Sequence, residues 1–178
     1  MIMELENSKV ILRPIDETDT ENIVTWRNKD SVKRHFIYRK PFTIEGHTAW
    51  LQNMVKTGKV AQFIIYSQEL GKDVGSVFLR DIDQDNRKAE YGIFLGEDDA
   101  RGHGIGTAAA KLIVKYGFDE LRLHKIFLRV FADNIRAIKS YEKAGFRQEA
   151  YLKDEVYISG AFQDIVLMAQ FEMGSMIK

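Results

Sequence analysis

Arg101-Gly102-His103-Gly104-Ile105-Gly106-Thr107 decides the reading of this chain. Ahead of it, residues 89–96 (AEYGIFLG) form an apolar run of strand length. Behind it, Ile105, Ala108/Ala109, Leu112/Ile113 and Tyr116 recur every three or four residues, the period of an amphipathic helix. A strand, a glycine turn and a helix in that order present bare backbone N–H groups at a helix N-terminus, where the dipole also favours negative charge. Three glycines let the main chain approach a phosphate closely, and Arg101 adds a planar positive fork. The segment is expected to hold a pyrophosphate.

Two common phosphate patterns do not fit. The triphosphatase loop needs a lysine directly after its last glycine, and Lys111 lies too far on, inside the helix. The dinucleotide fingerprint G-x-G-x-x-G would need a third glycine where Thr107 stands. The pattern [Q/R]-x-x-G-x-[G/A] is met by Arg101, Gly104 and Gly106, and it resembles the coenzyme A loop of the GNAT acetyltransferases.

Composition narrows the alternatives. Lys plus Arg and Asp plus Glu both number 26 in 178 residues, for a net charge of zero, which argues against nucleic acid as a partner. The absence of cysteine removes disulfides, thiolate metal sites and a cysteine nucleophile together. His35, His47, His103 and His124 show no ligand spacing, so no metal is expected. The first residues lack a basic region followed by an apolar core, and no run approaches the ~18 apolar residues of a membrane span. The expectation is one cytoplasmic domain, residues 1–178, with no membrane contact.

Working outward, 8–13 reads as a strand ended by Pro14, and 18–28 as a helix capped by Thr18 or Asp19. Residues 42–56 carry an apolar stripe at helical period. Residues 61–67 and 74–81 are strands joined by a polar turn, and 89–96 precedes the glycine loop and its helix. Residues 124–131 read as a strand buried on both faces. Residues 134–144 form a short helix capped by Asn134 and stopped by Gly145, and 146–159 and 161–172 are a closing hairpin. The order is β, α, α, β, β, β, α, β, α, β, β, an α/β chain in which an antiparallel meander feeds a parallel pair.

That order strengthens the resemblance to the GNAT fold. Asn134-Ile135-Arg136-Ala137-Ile138-Lys139-Ser140-Tyr141-Glu142-Lys143-Ala144-Gly145-Phe146 is similar to the family's N-x-x-A-x-x-x-Y-x-K-x-G-F segment. Leu12-Arg13-Pro14, and Asp164 to Met168 in the last strand, resemble the subgroup holding ribosomal-protein and polyamine acetyltransferases. The resemblance implies a mixed, mostly antiparallel sheet flanked by helices, with its fourth and fifth strands parallel and splayed around the cofactor, acetyl-CoA. One departure is the acidic loop Glu97-Asp98-Asp99-Ala100, which lacks the proline often found there.

The resemblance also implies roles. Amides of Arg101, Gly102, His103, Gly104, Ile105, Gly106 and Thr107 would cradle the pyrophosphate, and the backbone of Ile93, Phe94 and Leu95 would pair with the pantetheine arm like an added strand. Asn134 carries two readings, a pantetheine contact and a plain helix cap; Lys143 reads as a phosphate contact or a helix-surface lysine. Tyr141 matches the tyrosine placed beside the coenzyme sulfur, where its hydroxyl can protonate the departing thiolate. An amine with pKa near ~10 is less than about 1% neutral at pH 7, so a proton must be removed. Glu90 is the first choice of base, with Asp154 and Glu155 as rivals.

The acceptor is the open question. Trp26-Arg27-Asn28, Phe36, Pro41-Phe42-Thr43 and His47-Thr48-Ala49-Trp50-Leu51 resemble nucleotide-aminosugar N-acetyltransferases of the pseudaminic-acid pathway. Arg27, Lys33, Arg34, Arg39 and Lys40 form a basic cluster among aromatic residues, suited to a phosphorylated, ring-bearing amine. The expectation is acetyl transfer to an amino-sugar nucleotide, with Trp26, Arg27, Asn28 and Trp50 as substrate contacts. A protein N-terminus or a polyamine is the alternative acceptor, and a coenzyme-binding module without catalysis is the rival from another class. A homodimer is the expected assembly.

Overall fold

The computed structural model describes residues 4–172; residues 1–3 and 173–178, the two ends of the expected domain, lie outside the described residues. Its strands are β1 (Leu5–Glu6), β2 (Val10–Pro14), β3 (Ala61–Ser67), β4 (Lys72–Asp83), β5 (Lys88–Leu95), β6 (Lys125–Phe131), β7 (Arg147–Ile158) and β8 (Ala161–Phe171). The helices are α1 (Thr20–Asn28), α2 (Asp30–Lys33), α3 (Ile44–Trp50), α4 (Ile105–Asp119) and α5 (Ile135–Ala144). The strands join in one sheet ordered β1-β2-β3-β4-β5-β6-β8-β7, antiparallel throughout except for the β5–β6 pair. This is the expected mixed α/β architecture. The fourth and fifth expected strands become β5 and β6, because Leu5–Glu6 pairs with 11–12 as an additional first strand.

Each face of the sheet has its own core. On one face Ala109, Ala110, Ile113 and Val114 of α4 pack with Phe63, Leu79, Tyr91, Ile126 and Leu128, joined by Phe146 at the end of α5. Removing such an aliphatic side chain from water stabilises the fold by roughly 1.5–3 kcal/mol. On the other face a smaller core gathers Ile23, Trp26, Val32 and Leu51 from the helical segment 20–55 against Ile64 and Phe94. Period-2 alternation in β5 sends Ala89, Tyr91 and Ile93 toward the first core and Glu90, Gly92 and Phe94 toward the second. The strand therefore addresses both cores at once.

Several boundaries differ from the sequence expectation. The first helix begins after Asp19, one of the two expected cap residues, which makes no side-chain capping bond; a 3₁₀ turn at Glu17–Asp19 precedes it, capped by Asp16, whose carboxylate accepts from the Thr18 amide at 2.7 Å. The apolar stripe over 42–56 splits into α3, capped by Thr43, and a π-helical turn at Leu51–Val55. The short α2 was not legible from periodicity, having a single turn. Strand β6 is not buried on both faces. Ile126, Leu128 and Val130 are buried while Arg129 between them is exposed, so one face of the strand is open. Among the described residues no helix is long and apolar enough to cross a membrane.

The functional geometry follows from one defect in the sheet. β5 and β6 pair only at Lys88, Ala89 and Glu90 against Lys125, Ile126 and Phe127. Beyond that, β5 stays with β4 as far as Leu95, while β6 stays with β8 as far as Phe131. The sheet parts into two leaves, and among the described residues the edge of β5 that faces β6 has no strand partner past Glu90.

Candidate active site

A cleft of about 1370 Å³ opens at that fork. It exceeds the ~300–1,000 Å³ of an ordinary small-molecule site, leaving room for two ligands side by side. It runs from the glycine loop, through the gap between the leaves, into a chamber beneath the helical segment 20–55.

At one end, α4 begins without a side-chain cap. Gly104 at its N-cap sits at φ 75° and Gly102 at φ 93°, left-handed conformations that a β-carbon would strain. The amides of Ile105, Gly106 and Thr107 are thus exposed to the cleft at the positive end of a fifteen-residue helix. Arg101 and Gly102 line the same end, and the Arg101 guanidinium donates to the Ser31 carbonyl at 3.2 Å. His103 does not line the cleft; its carbonyl accepts from Lys9 Nζ at 3.0 Å and its ring meets Glu69. The acidic loop does not spoil this end. Asp98 pairs with Arg101 at 3.2 Å, Asp99 with Lys72 at 2.9 Å, and Glu97 accepts from Trp26 Nε1 at 2.6 Å.

Ile93, Phe94 and Leu95 lie along the free edge of β5, on the cleft wall. Opposite them α5 contributes Asn134, Ser140, Tyr141 and Lys143. Asn134 caps the helix, its side-chain oxygen accepting from the Ala137 amide at 3.3 Å, while its amide end faces His35 at 3.4 Å. Tyr141 lies in the fork, edge-on to Tyr91 with ring centroids 5.8 Å apart and packed on Phe146. Burial pushes its phenol up to about 12, so it stays protonated across the neutral range. The Tyr91 hydroxyl is buried there with no hydrogen-bond partner among the described residues.

Glu90 sits on the cleft wall with 6% of its surface exposed. Arg80, its cross-strand partner in β4, donates to Oε2 through Nε at 3.2 Å and Nη2 at 2.9 Å. Arg129 of β6 donates to Oε1 at 3.0 Å and to Oε2 at 3.3 Å. Two guanidinium groups thus compete with any amine for this carboxylate. The rivals Asp154 and Glu155 are exposed on β7, outside the cleft walls.

The far chamber is aromatic and cationic. Arg27, buried at 7% exposure, lays its guanidinium over Phe36 at 3.4 Å from the ring centroid and stands 4.5 Å from that of Phe42. Trp50 lines the wall and donates to Gln62 at 2.9 Å. His47 is buried with its Nδ1 on Thr20 at 3.1 Å and its Nε2 unpartnered. Two expected substrate contacts are not on the walls. Trp26 is buried in the second core, edge-on to Phe94, and Asn28 holds the loop by exchanging two 2.9 Å hydrogen bonds with the Phe42 backbone. Of the basic cluster, Arg27 and Arg34 reach the cleft while Lys33, Arg39 and Lys40 do not. Arg80 and Arg129 were missed in the sequence, whereas His47 belongs to the segment read there as acceptor-facing. The Arg80–Glu90 pairing was recoverable only from strand register, which brings residues ten apart face to face.

Uncapped amides at a helix N-terminus, an unpaired strand edge and a phenol in the fork meet along this one cleft. Comparison with known proteins narrows this. Residues 9–147 match the model of the acetyltransferase (GNAT) domain family. The chain belongs to that family and is an acetyl-CoA-dependent N-acetyltransferase. It is 30% identical over 164 residues to a spermidine N(1)-acetyltransferase of Escherichia coli (strain K12), covering 92% of this chain and 86% of that one. A probable N-acetyltransferase of Bacillus subtilis (strain 168), YjcK, is 28% identical over 173 residues, covering 93% and 95%. The spermidine N-acetyltransferase of Vibrio cholerae, solved in complex with CoA and spermine, superposes with a TM-score of 0.84 at 25% identity, covering 93% of this chain and 96% of that one. The same Vibrio cholerae protein has a dodecameric structure.

Proposed function

We propose that this chain transfers the acetyl group of acetyl-CoA to a primary amine on a small acceptor that carries phosphate, an amino-sugar nucleotide being the best fit. The observation carrying this is the charge of the cleft. Among the described residues its one carboxylate is Glu90, already spanned by Arg80 and Arg129, while Arg27 adds a further cation in the chamber. A polyamine bearing about three positive charges at neutral pH gains nothing from such walls.

In this reading the α4 amides and Arg101 hold the diphosphate, and the free edge of β5 at 93–95 orients the pantetheine arm. Asn134 and Lys143 flank that arm from α5. Tyr141 donates its proton toward the leaving sulfur. An ordinary thiol titrates near ~8.5, so proton transfer from a phenol near 12 runs uphill until the sulfur is itself desolvated. Tyr141 therefore acts chiefly as a hydrogen-bond donor as charge develops. Glu90 holds Arg80 and Arg129 in place, and it serves as base only through a water or after a guanidinium swings away.

The second reading, a polyamine acceptor, is favoured by the relatives, two of which are named as spermidine acetyltransferases. An acceptor screen separates the two. With acetyl-CoA fixed, thiol release is measured over amino-sugar nucleotides, spermidine, spermine and N-terminal peptides. Turnover on an amino-sugar nucleotide at least about tenfold above spermidine supports the first reading, and the reverse order replaces it. The expected homodimer stands beside the dodecamer of the Vibrio cholerae relative, and sedimentation of the purified chain distinguishes them.

A further inference from the structure

We propose that Arg27 is the anchor for an anionic group, phosphate or carboxylate, carried by the acceptor. The proposal rests on the reading of the far chamber as the acceptor site and names the residue that selects what enters it.

Three observations converge on this side chain. Its guanidinium is buried, and among the described residues Nη1 has no hydrogen-bond partner. Phe36 lies against its flat face with Phe42 close by, and those contacts leave the in-plane N–H edge as the part able to bind. The carboxylate that would ordinarily neutralise it is missing from the chamber: Glu90 is engaged by Arg80 and Arg129, and the charge that acts on Arg27 is the repulsive one of Arg80.

A desolvated, uncompensated guanidinium is costly to keep, and the surroundings oppose its charge strongly enough to pull its titration down to about 10. Cation–π packing recovers part of that cost but leaves Nη1 unbonded. An anion on the in-plane edge satisfies the donor and the charge together. Planar, two-toothed recognition of phosphate or carboxylate is what arginine does better than lysine. The coenzyme's diphosphate does not meet this demand, because its seat is the N-terminus of α4, across the fork from the chamber.

The test is calorimetric and uses the protein saturated with coenzyme A, so that the α4 site is filled. Uridine diphosphate, citrate and uncharged uridine are titrated into wild type, Arg27→Gln and Arg27→Lys. The melting shift produced by coenzyme A reports that each variant is folded. Wild type should bind uridine diphosphate or citrate, with Arg27→Gln weaker by about 10- to 100-fold, the loss expected for charged hydrogen bonds. Arg27→Lys should fall between, and uridine should not discriminate among the three proteins. Binding of citrate but not uridine diphosphate keeps the anchor and removes the nucleotide from the proposed function. Binding of uridine diphosphate without acetylation of any amino-sugar nucleotide keeps the anchor and overturns that function. If wild type binds neither anion, or binds them only as tightly as Arg27→Gln does, the anchor is refuted. Should Arg27→Gln fail to fold, Arg27→Lys supplies the comparison, and wild type that binds neither anion refutes the anchor without any variant.

Discussion

On the α4 side of the cleft the groups aimed inward are main-chain amides and an unpaired strand edge, supplied by the contiguous run 93–107. On the helical side they are side-chain ends, with Arg27 and His47 from two helices, Phe36 and Phe42 from the loop between them, and Arg80 and Arg129 from two strands. The first half binds with atoms every residue possesses, so its requirements fall on glycines and on the absence of a cap. The second binds with chemistry that only particular residues carry, brought together by tertiary packing. A shared coenzyme suits the former and a private acceptor the latter.

The largest expected effect lies at the seam between the halves. On the proposed reading, in which Tyr141 donates to the leaving sulfur, Tyr141→Phe should lower kcat by about 10²–10⁴-fold with the KM for acetyl-CoA held within about twofold. Equal losses in kcat and in coenzyme binding would move Tyr141 into the binding half. With the phenol near 12, activity that needs its protonated form persists as pH rises and is lost only on approaching that value. A limb at pH 8–9 that disappears in Tyr141→Phe would contradict this.

Gly104→Val should weaken coenzyme A by about 10²-fold, since a branched residue at φ 75° costs about 1–3 kcal/mol and displaces amides from the phosphate. Isothermal titration reads the loss, and an unchanged Kd would mean the amides are not the grip. Glu90→Gln should lower stability by about 1–3 kcal/mol in urea denaturation. That is below the cost of breaking a fully buried pair, because Arg80 and Arg129 keep 37% and 35% of their side chains exposed. A stable Glu90→Gln protein that has lost its pH–rate profile would restore the residue as base.

The same contrast explains how much was readable beforehand. The glycine loop, the strand before it and the helix after it could be placed because their signals are local: glycine conformation, periodicity, a missing cap. Asn134 and Gly145 likewise announced the ends of α5 through side-chain capping and a left-handed stop. Trp26 and Asn28 were misplaced because neighbours in sequence on one helix point to different surroundings. Of the trio, Arg27 faces the cleft while Trp26 turns to Phe94 and Asn28 to the next loop. The partners of Glu90 were invisible for the complementary reason: charge pairing across strands depends on register, and β4 carries an irregularity between Arg80 and Asp83 that no local pattern reveals.

The parting of β5 from β6 has a further consequence. A ligand laid in that gap stands where a missing hydrogen-bonded neighbour would, and so works as a spine that binds two pages. Occupancy should then raise the cohesion of the whole molecule, by about 2.7 kcal/mol at a hundred times Kd, whatever amine is waiting.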